Sequence, residues 1–150
     1  MKLTISSPEQ MESLGLGVAK SLRAGDVVLL EGELGAGKTT LTRGIGEGLL
    51  AKGTIQSPTF VLARTHRTQS GPKLVHVDAY RLGSAVELDD LDIDFENSIV
   101  VIEWPRDFLD SVITEYLKIK IDRTRQDDVR EVELIFSGDR WQGVEIATGN

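Results

Sequence analysis

Gly32-Glu33-Leu34-Gly35-Ala36-Gly37-Lys38-Thr39 satisfies the spacing G-x-x-x-x-G-K-[ST] in full, and each fixed residue type has a chemical reason to be there. The glycines let the backbone curl until successive N–H groups point inward at phosphate oxygens. A lysine directly after the last glycine brings a cation to the β- and γ-phosphates, and the Thr39 hydroxyl is a hard oxygen of the kind Mg²⁺ takes. The stretch reads as a nucleotide phosphate site. Its flanks agree: Asp26-Val27-Val28-Leu29-Leu30-Glu31 is an apolar run typical of a buried parallel strand, and Leu41, Ile45 and Leu49 recur along one helical face. A helix opening at Lys38 would add the positive end of its dipole to the same place.

A magnesium nucleotide also needs an acid from a neighbouring strand. Two apolar runs end in one, Leu74-Val75-His76-Val77-Asp78 and Ile99-Val100-Val101-Ile102-Glu103, and acids at the carboxyl edge of an open sheet are placed to hold a metal or its water shell. Trp104 follows the second acid and suits stacking and packing equally. Arg81, Arg106 and Arg130 are candidate phosphate contacts. There is no Asn-Lys-x-Asp run for guanine, which points to ATP rather than GTP, and no Ser-His-Asp arrangement or thiol nucleophile. With no cysteine, His66 and His76 are too few donors for a zinc centre, so oxygen-liganded Mg²⁺ is the expected metal.

The elements that must hold these residues follow from local signals. Met1 to Ile5 reads as a short edge strand. Ser7-Pro8-Glu9-Gln10 starts a helix, with Ser7 as N-cap and Gln10 closing a capping box; Met11, Leu14, Val18 and Leu22 line one face until Gly25. In the helix after the phosphate loop, Gly44, Gly46 and Gly48 cost roughly 1 kcal/mol each against alanine, so packing and bound phosphate must hold it. Ser57-Pro58-Thr59-Phe60 leads into an extended run to Arg67, which pairs as a hairpin with Lys73 to Asp78 across a turn-rich linker. Ser84 to Leu91 reads as a capped helix. Tyr116 to Asp122 and Val129 to Phe136 alternate apolar and polar residues around a charged turn and form an antiparallel hairpin, and Gly143 to Ala147 is a candidate further strand. The fold class is α/β: a central, mostly parallel sheet flanked by helices, like that of phosphate-loop NTPases, with an antiparallel C-terminal hairpin.

At 150 residues and 40% apolar composition, residues 1 to 150 are expected to form a single globular domain. No long apolar run or signal-like segment is present, so a cytoplasmic protein without a membrane partner is expected. The net charge of −7 is uneven: residues 1 to 75 carry nine Lys/Arg against six Asp/Glu, and residues 76 to 150 carry eight against eighteen. Such a chain is a poor stand-alone partner for a polyanion, and a basic protein suits it better. From Glu87 to Glu96 six of ten residues are acidic, which is a solvated face or a docking surface.

With these residues in hand, the chain resembles the TsaE family, the small ATPase subunit of the bacterial machinery that makes the threonylcarbamoyladenosine modification of tRNA. The resemblance rests on four ordered motifs: Gly32 to Thr40, Ser57-Pro58-Thr59-Phe60, His76-Val77-Asp78-Ala79-Tyr80-Arg81-Leu82, and Ile102-Glu103-Trp104-Pro105. It implies that Gly35, Ala36, Gly37, Lys38, Thr39 and Thr40 cradle ATP phosphates, that Thr39 and Glu103 ligate Mg²⁺, and that Asp78 assists hydrolysis beside Lys38. It further implies nucleotide contacts from Pro8, Arg106 and Arg130, partners TsaB and TsaD, and contact with tRNA only through that complex. Glu33, Phe60, Phe95, Ala79 and Arg106 depart from the residues usual in the family. The expected function is a weak, partner-dependent ATPase working by phosphoryl transfer to water. The alternatives are a small-molecule kinase of the same loop class and an adaptor that senses nucleotide without hydrolysing it.

Overall fold

The two most apolar runs pair with each other in the middle of a twisted sheet. Strands β2 (Val27–Glu31) and β5 (Ser98–Glu103) are parallel neighbours, and being covered on both faces they tolerate continuous aliphatic sequence. Around them, in the computed structural model, lie β1 (Lys2–Ile5), β3 (Ala63–His66), β4 (Lys73–Asp78), β6 (Tyr116–Arg123) and β7 (Arg130–Ser137). The structure describes residues 1–55 and 62–148, so Ser57-Pro58-Thr59-Phe60 lies outside the described residues. Among the described residues the sheet has seven strands in the order β1-β7-β6-β2-β5-β4-β3. The inner strands β6, β2, β5 and β4 are parallel, and β1, β7 and β3 pair antiparallel at the two sides.

Both expected hairpins form. The second does more than close an edge: β6 is itself a parallel neighbour of β2, joining the hairpin to the phosphate-loop strand. Gly143 to Ala147 is not a strand. The outer side of β7 is already taken by β1, and Val144 and Ile146 pack against the apolar core instead.

Helices α1 (Pro8–Ala19) and α2 (Lys38–Gly48) cover one face, and α3 (Ala85–Asp89) with short 3-10 turns covers the other. Ser7 caps α1 by accepting from the Gln10 N–H at 3.1 Å. The Gln10 side chain returns to the Ser6 N–H rather than to that of Ser7. The helix ends at Ala19, short of Gly25, and Leu22 reaches the core from the following turn. The glycines of α2 have their reason in its contact with α1. A Cβ on Gly44 would lie 2.1 Å from the Glu12 carbonyl oxygen, and one on Gly15 would lie 2.3 Å from that of Leu41. The two backbones approach so closely that the propensity cost is offset by packing and dispersion.

Strand parity decides which residues reach the phosphate-loop side. Val28 and Leu30 of β2, Leu74 of β4, and Ile99 and Val101 of β5 belong to the core under α1 and α2, whereas Val27, Leu29, Val75, Val77, Val100 and Ile102 belong to the opposite core. With a period of two, His76, Asp78 and Glu103 fall on the α2 face.

Candidate nucleotide site

Leaving β2 in the middle of the sheet, the chain crosses Gly32 to Gly37 and enters α2 at Lys38. Gly35 and Gly37 have φ of +79° and +117°, a region closed to most side chains. Gly37 is the N-cap of α2 and makes no side-chain cap bond, so the dipole end of the helix is left to whatever occupies the loop.

Lys38 is buried, only 6% exposed. Its Nζ donates to the carbonyl oxygens of Gly32 and, at 3.0 Å, Glu33. It also lies 3.8 Å from the centre of the Trp104 ring, in the geometry of a cation–π contact. Burial pushes the ammonium below the usual lysine range, and Glu103, Asp78 and Glu33 pull the other way.

The two strand-end acids stand together. Asp78 and Glu103 are direct partners in the parallel β4–β5 register, and both are buried. The Asp78 carboxylate accepts from the Tyr80 N–H at 3.0 Å, capping the 3-10 turn Ala79–Arg81. Glu103 shares a cleft with Leu34 to Thr40 and Trp104, so the Thr39 hydroxyl and the Glu103 carboxylate line one space. A hydroxyl and a carboxylate are the donors Mg²⁺ accepts when phosphates and water complete its shell. No group of three or more His, Cys, Asp or Glu side chains placed to hold a metal ion is found among the described residues. The donors fit a magnesium ion shared with a nucleotide.

Trp104 answers the choice between stacking and packing with strain. Its φ is +58°, a conformation that costs a bulky residue on the order of 1–3 kcal/mol. Its N–H donates to the Leu30 carbonyl at 3.1 Å, and its ring meets Tyr80 edge-on with centroids 5.7 Å apart. The kink after Glu103 thereby turns the indole over Lys38 instead of continuing the strand.

The remaining predicted contacts divide. Pro8, Gly35, Ala36, Gly37, Thr40 and Arg130 line one pocket beside the loop. The Arg130 guanidinium donates to the Ala36 carbonyl at 3.0 Å and the Gly35 carbonyl at 3.4 Å, bracing the loop where it borders this pocket. Arg106 lies in a separate groove with Tyr80, Trp104 and Glu33, and donates to the Tyr80 carbonyl at 3.0 Å. Arg81 is exposed.

Sequence reasoning gave no role to His76. It is fully buried, and its Nε2 bonds the Glu103 Oε2. The available signal was spacing: His76 stands two residues before Asp78 in one strand, hence on the same face. Ser7, Met11 and Asp128, which line the Pro8–Arg130 pocket, were also missed, because only the fold brings the start of α1 beside the final hairpin.

A family model described as threonylcarbamoyl adenosine biosynthesis protein TsaE matches residues 5–132. Relatives named tRNA threonylcarbamoyladenosine biosynthesis protein TsaE include one from Streptomyces coelicolor, 49% identical over 91% of this chain and 97% of that protein. Another, from Mycobacterium tuberculosis, is 43% identical over 85% and 82%, and one from Bacillus subtilis is 34% identical over 95% and 89%. Among solved structures, Bacillus subtilis YdiB superposes with a TM-score of 0.77 at 32% identity, covering 95% of this chain and 88% of that one.

Proposed function

The chain belongs to the TsaE family, and from that premise we propose that it is a Mg²⁺-dependent, weakly active ATPase serving tRNA threonylcarbamoyladenosine biosynthesis. Residues 1 to 150 act as one phosphate-loop ATPase domain. The observation that carries this reading is the convergence of Lys38, Thr39, Asp78 and Glu103 where β2, β4 and β5 end.

In this reading the amides of Gly35 to Thr40 and the Lys38 ammonium hold the phosphates, and Thr39 and Glu103 hold Mg²⁺. When bound, the ion neutralises charge that develops on the β- and γ-phosphate oxygens. Asp78 is positioned to orient the attacking water, its carboxylate already fixed by the Tyr80 N–H. Pro8 and Arg130 contact the nucleotide on one side of the loop, and Arg106 contacts it from the other. Leu34 is 84% exposed at the loop tip, an apolar side chain that a docked partner would cover, which accords with slow turnover until a partner closes the site. TsaB and TsaD are those partners, tRNA is reached only through them, and the complex works in the cytoplasm. No described helix is long and apolar enough to cross a membrane.

The test is phosphate release from ATP by the purified chain, alone and with TsaB and TsaD, beside binding of a fluorescent ATP analogue with and without Mg²⁺. Saturable binding that Mg²⁺ strengthens, with release stimulated by the partners, is expected. Binding without release under all conditions would leave a nucleotide-sensing adaptor, and transfer to a small acceptor would make it a kinase.

A further inference from the structure

Glu103 reaches the phosphate-loop cleft from the end of β5 with one carboxylate oxygen already engaged. His76 lies two positions back in register from Asp78, opposite Val101, and its Nε2 meets the Glu103 Oε2. An ionised carboxylate only accepts, so Nε2 carries the hydrogen. The imidazole is fully buried, and its Nδ1 has no hydrogen-bond partner among the described residues. Among the described residues the ring is therefore anchored to the polar part of the site through this single bond.

The geometry has an electrostatic consequence. Glu103 is one of three carboxylates that act on the Lys38 ammonium, so a Glu103 side chain free to turn would be drawn to it. That collapse would occupy both the phosphate-binding cation and the metal-binding anion at once. We propose that His76 is a positioning residue that holds the Glu103 carboxylate toward the metal and away from Lys38. The proposal rests on the ATP reading above. Partners of metal-binding side chains are commonly worth about 10–100-fold in metal affinity.

The experiment is a Mg²⁺ titration of fluorescent ATP binding, with binding in EDTA as a separate readout and Tm as the check on folding. His76→Leu, similar in bulk but without a donor, is expected to need about 10–100-fold more Mg²⁺ and, with Lys38 now paired to Glu103, to bind nucleotide more weakly than the parent in EDTA. His76→Gln, whose amide places a donor near the Nε2 position, is expected to restore the Mg²⁺ midpoint. His76→Asn, equally polar but too short, is expected to leave it shifted. A wild-type midpoint in His76→Leu overturns the proposal. Should that variant fail to fold, equal midpoints for the Gln and Asn forms overturn it. A parent chain that binds no ATP, with Mg²⁺ or in EDTA, removes the ATP reading first and this inference with it.

Discussion

Asp78 and Glu103 are register partners at the carboxyl ends of adjacent parallel strands, both buried and both within electrostatic reach of Lys38. Their surroundings differ: Asp78 is tied to the Tyr80 N–H, whereas Glu103 shares its cleft with Thr39. Glu103→Ala should therefore weaken the Mg²⁺ dependence of nucleotide binding and hydrolysis, and Asp78→Ala should lower turnover more than affinity. Metal titrations and single-turnover rates on both variants check this. Exchange of the two behaviours would reverse the division of labour.

Lys38→Ala should nearly abolish ATP affinity and leave Tm within a few degrees of the parent. The two carbonyls that Lys38 satisfies border a cleft that water can enter, and removing a desolvated ammonium offsets part of the lost contact. Calorimetric titration with ATP alongside thermal unfolding tests both halves. Undiminished ATP binding would displace the site from this loop.

Gly44→Ala inverts a propensity rule. In a solvent-exposed helix the change would add roughly 1 kcal/mol of stability. Here the new Cβ meets the Glu12 carbonyl oxygen, 2.1 Å away in the unrelaxed backbone, and prising α1 from α2 should cost about 1–3 kcal/mol or more. Tm should fall by about 2–4 °C for each kcal/mol. An unchanged or raised Tm would show that the helices part freely at this point.

The acidic segment tests partner docking. Leu88, Leu91, Ile93 and Phe95 turn into the core beneath it, while Glu87, Asp89, Asp90, Asp92, Asp94 and Glu96 stay exposed. Exposed charges add little to folding and act mainly on encounter. Replacing Glu87, Asp89, Asp90 and Asp94 by their amides should leave ATP binding unaltered, slow association with a basic partner surface, and flatten its salt dependence. The amides still accept the Gly83 N–H bond made by Glu87, so the local fold should survive. Stopped-flow association at two ionic strengths decides; equal rates make the segment a solvated face.

What was legible in the sequence was whatever depends on near neighbours. The phosphate loop, the Ser7 and Ser84 caps and the hairpins are set by residues a few positions apart, because backbone hydrogen bonds, φ preferences and turn chemistry are local. The aliphatic runs of β2 and β5 likewise announced a sheet buried on both faces. The expected strand at Gly143 to Ala147 failed for a non-local reason: β1, from the other end of the chain, already holds the outer side of β7.

The site divides along the same line. By itself the sequence determined the glycine-rich loop, the lysine and threonine that follow it, and two acids at strand ends, since residue type and spacing are read along one segment. Only the tertiary structure decided that Asp78 and Glu103 stand in register, that His76 reaches Glu103, that Trp104 covers Lys38, and that Arg130 braces the loop from a strand ninety-four residues beyond Ala36. Those relations arise from strand order and parity, which a whole sheet settles at once by burying every apolar face, and no local window of sequence encodes them.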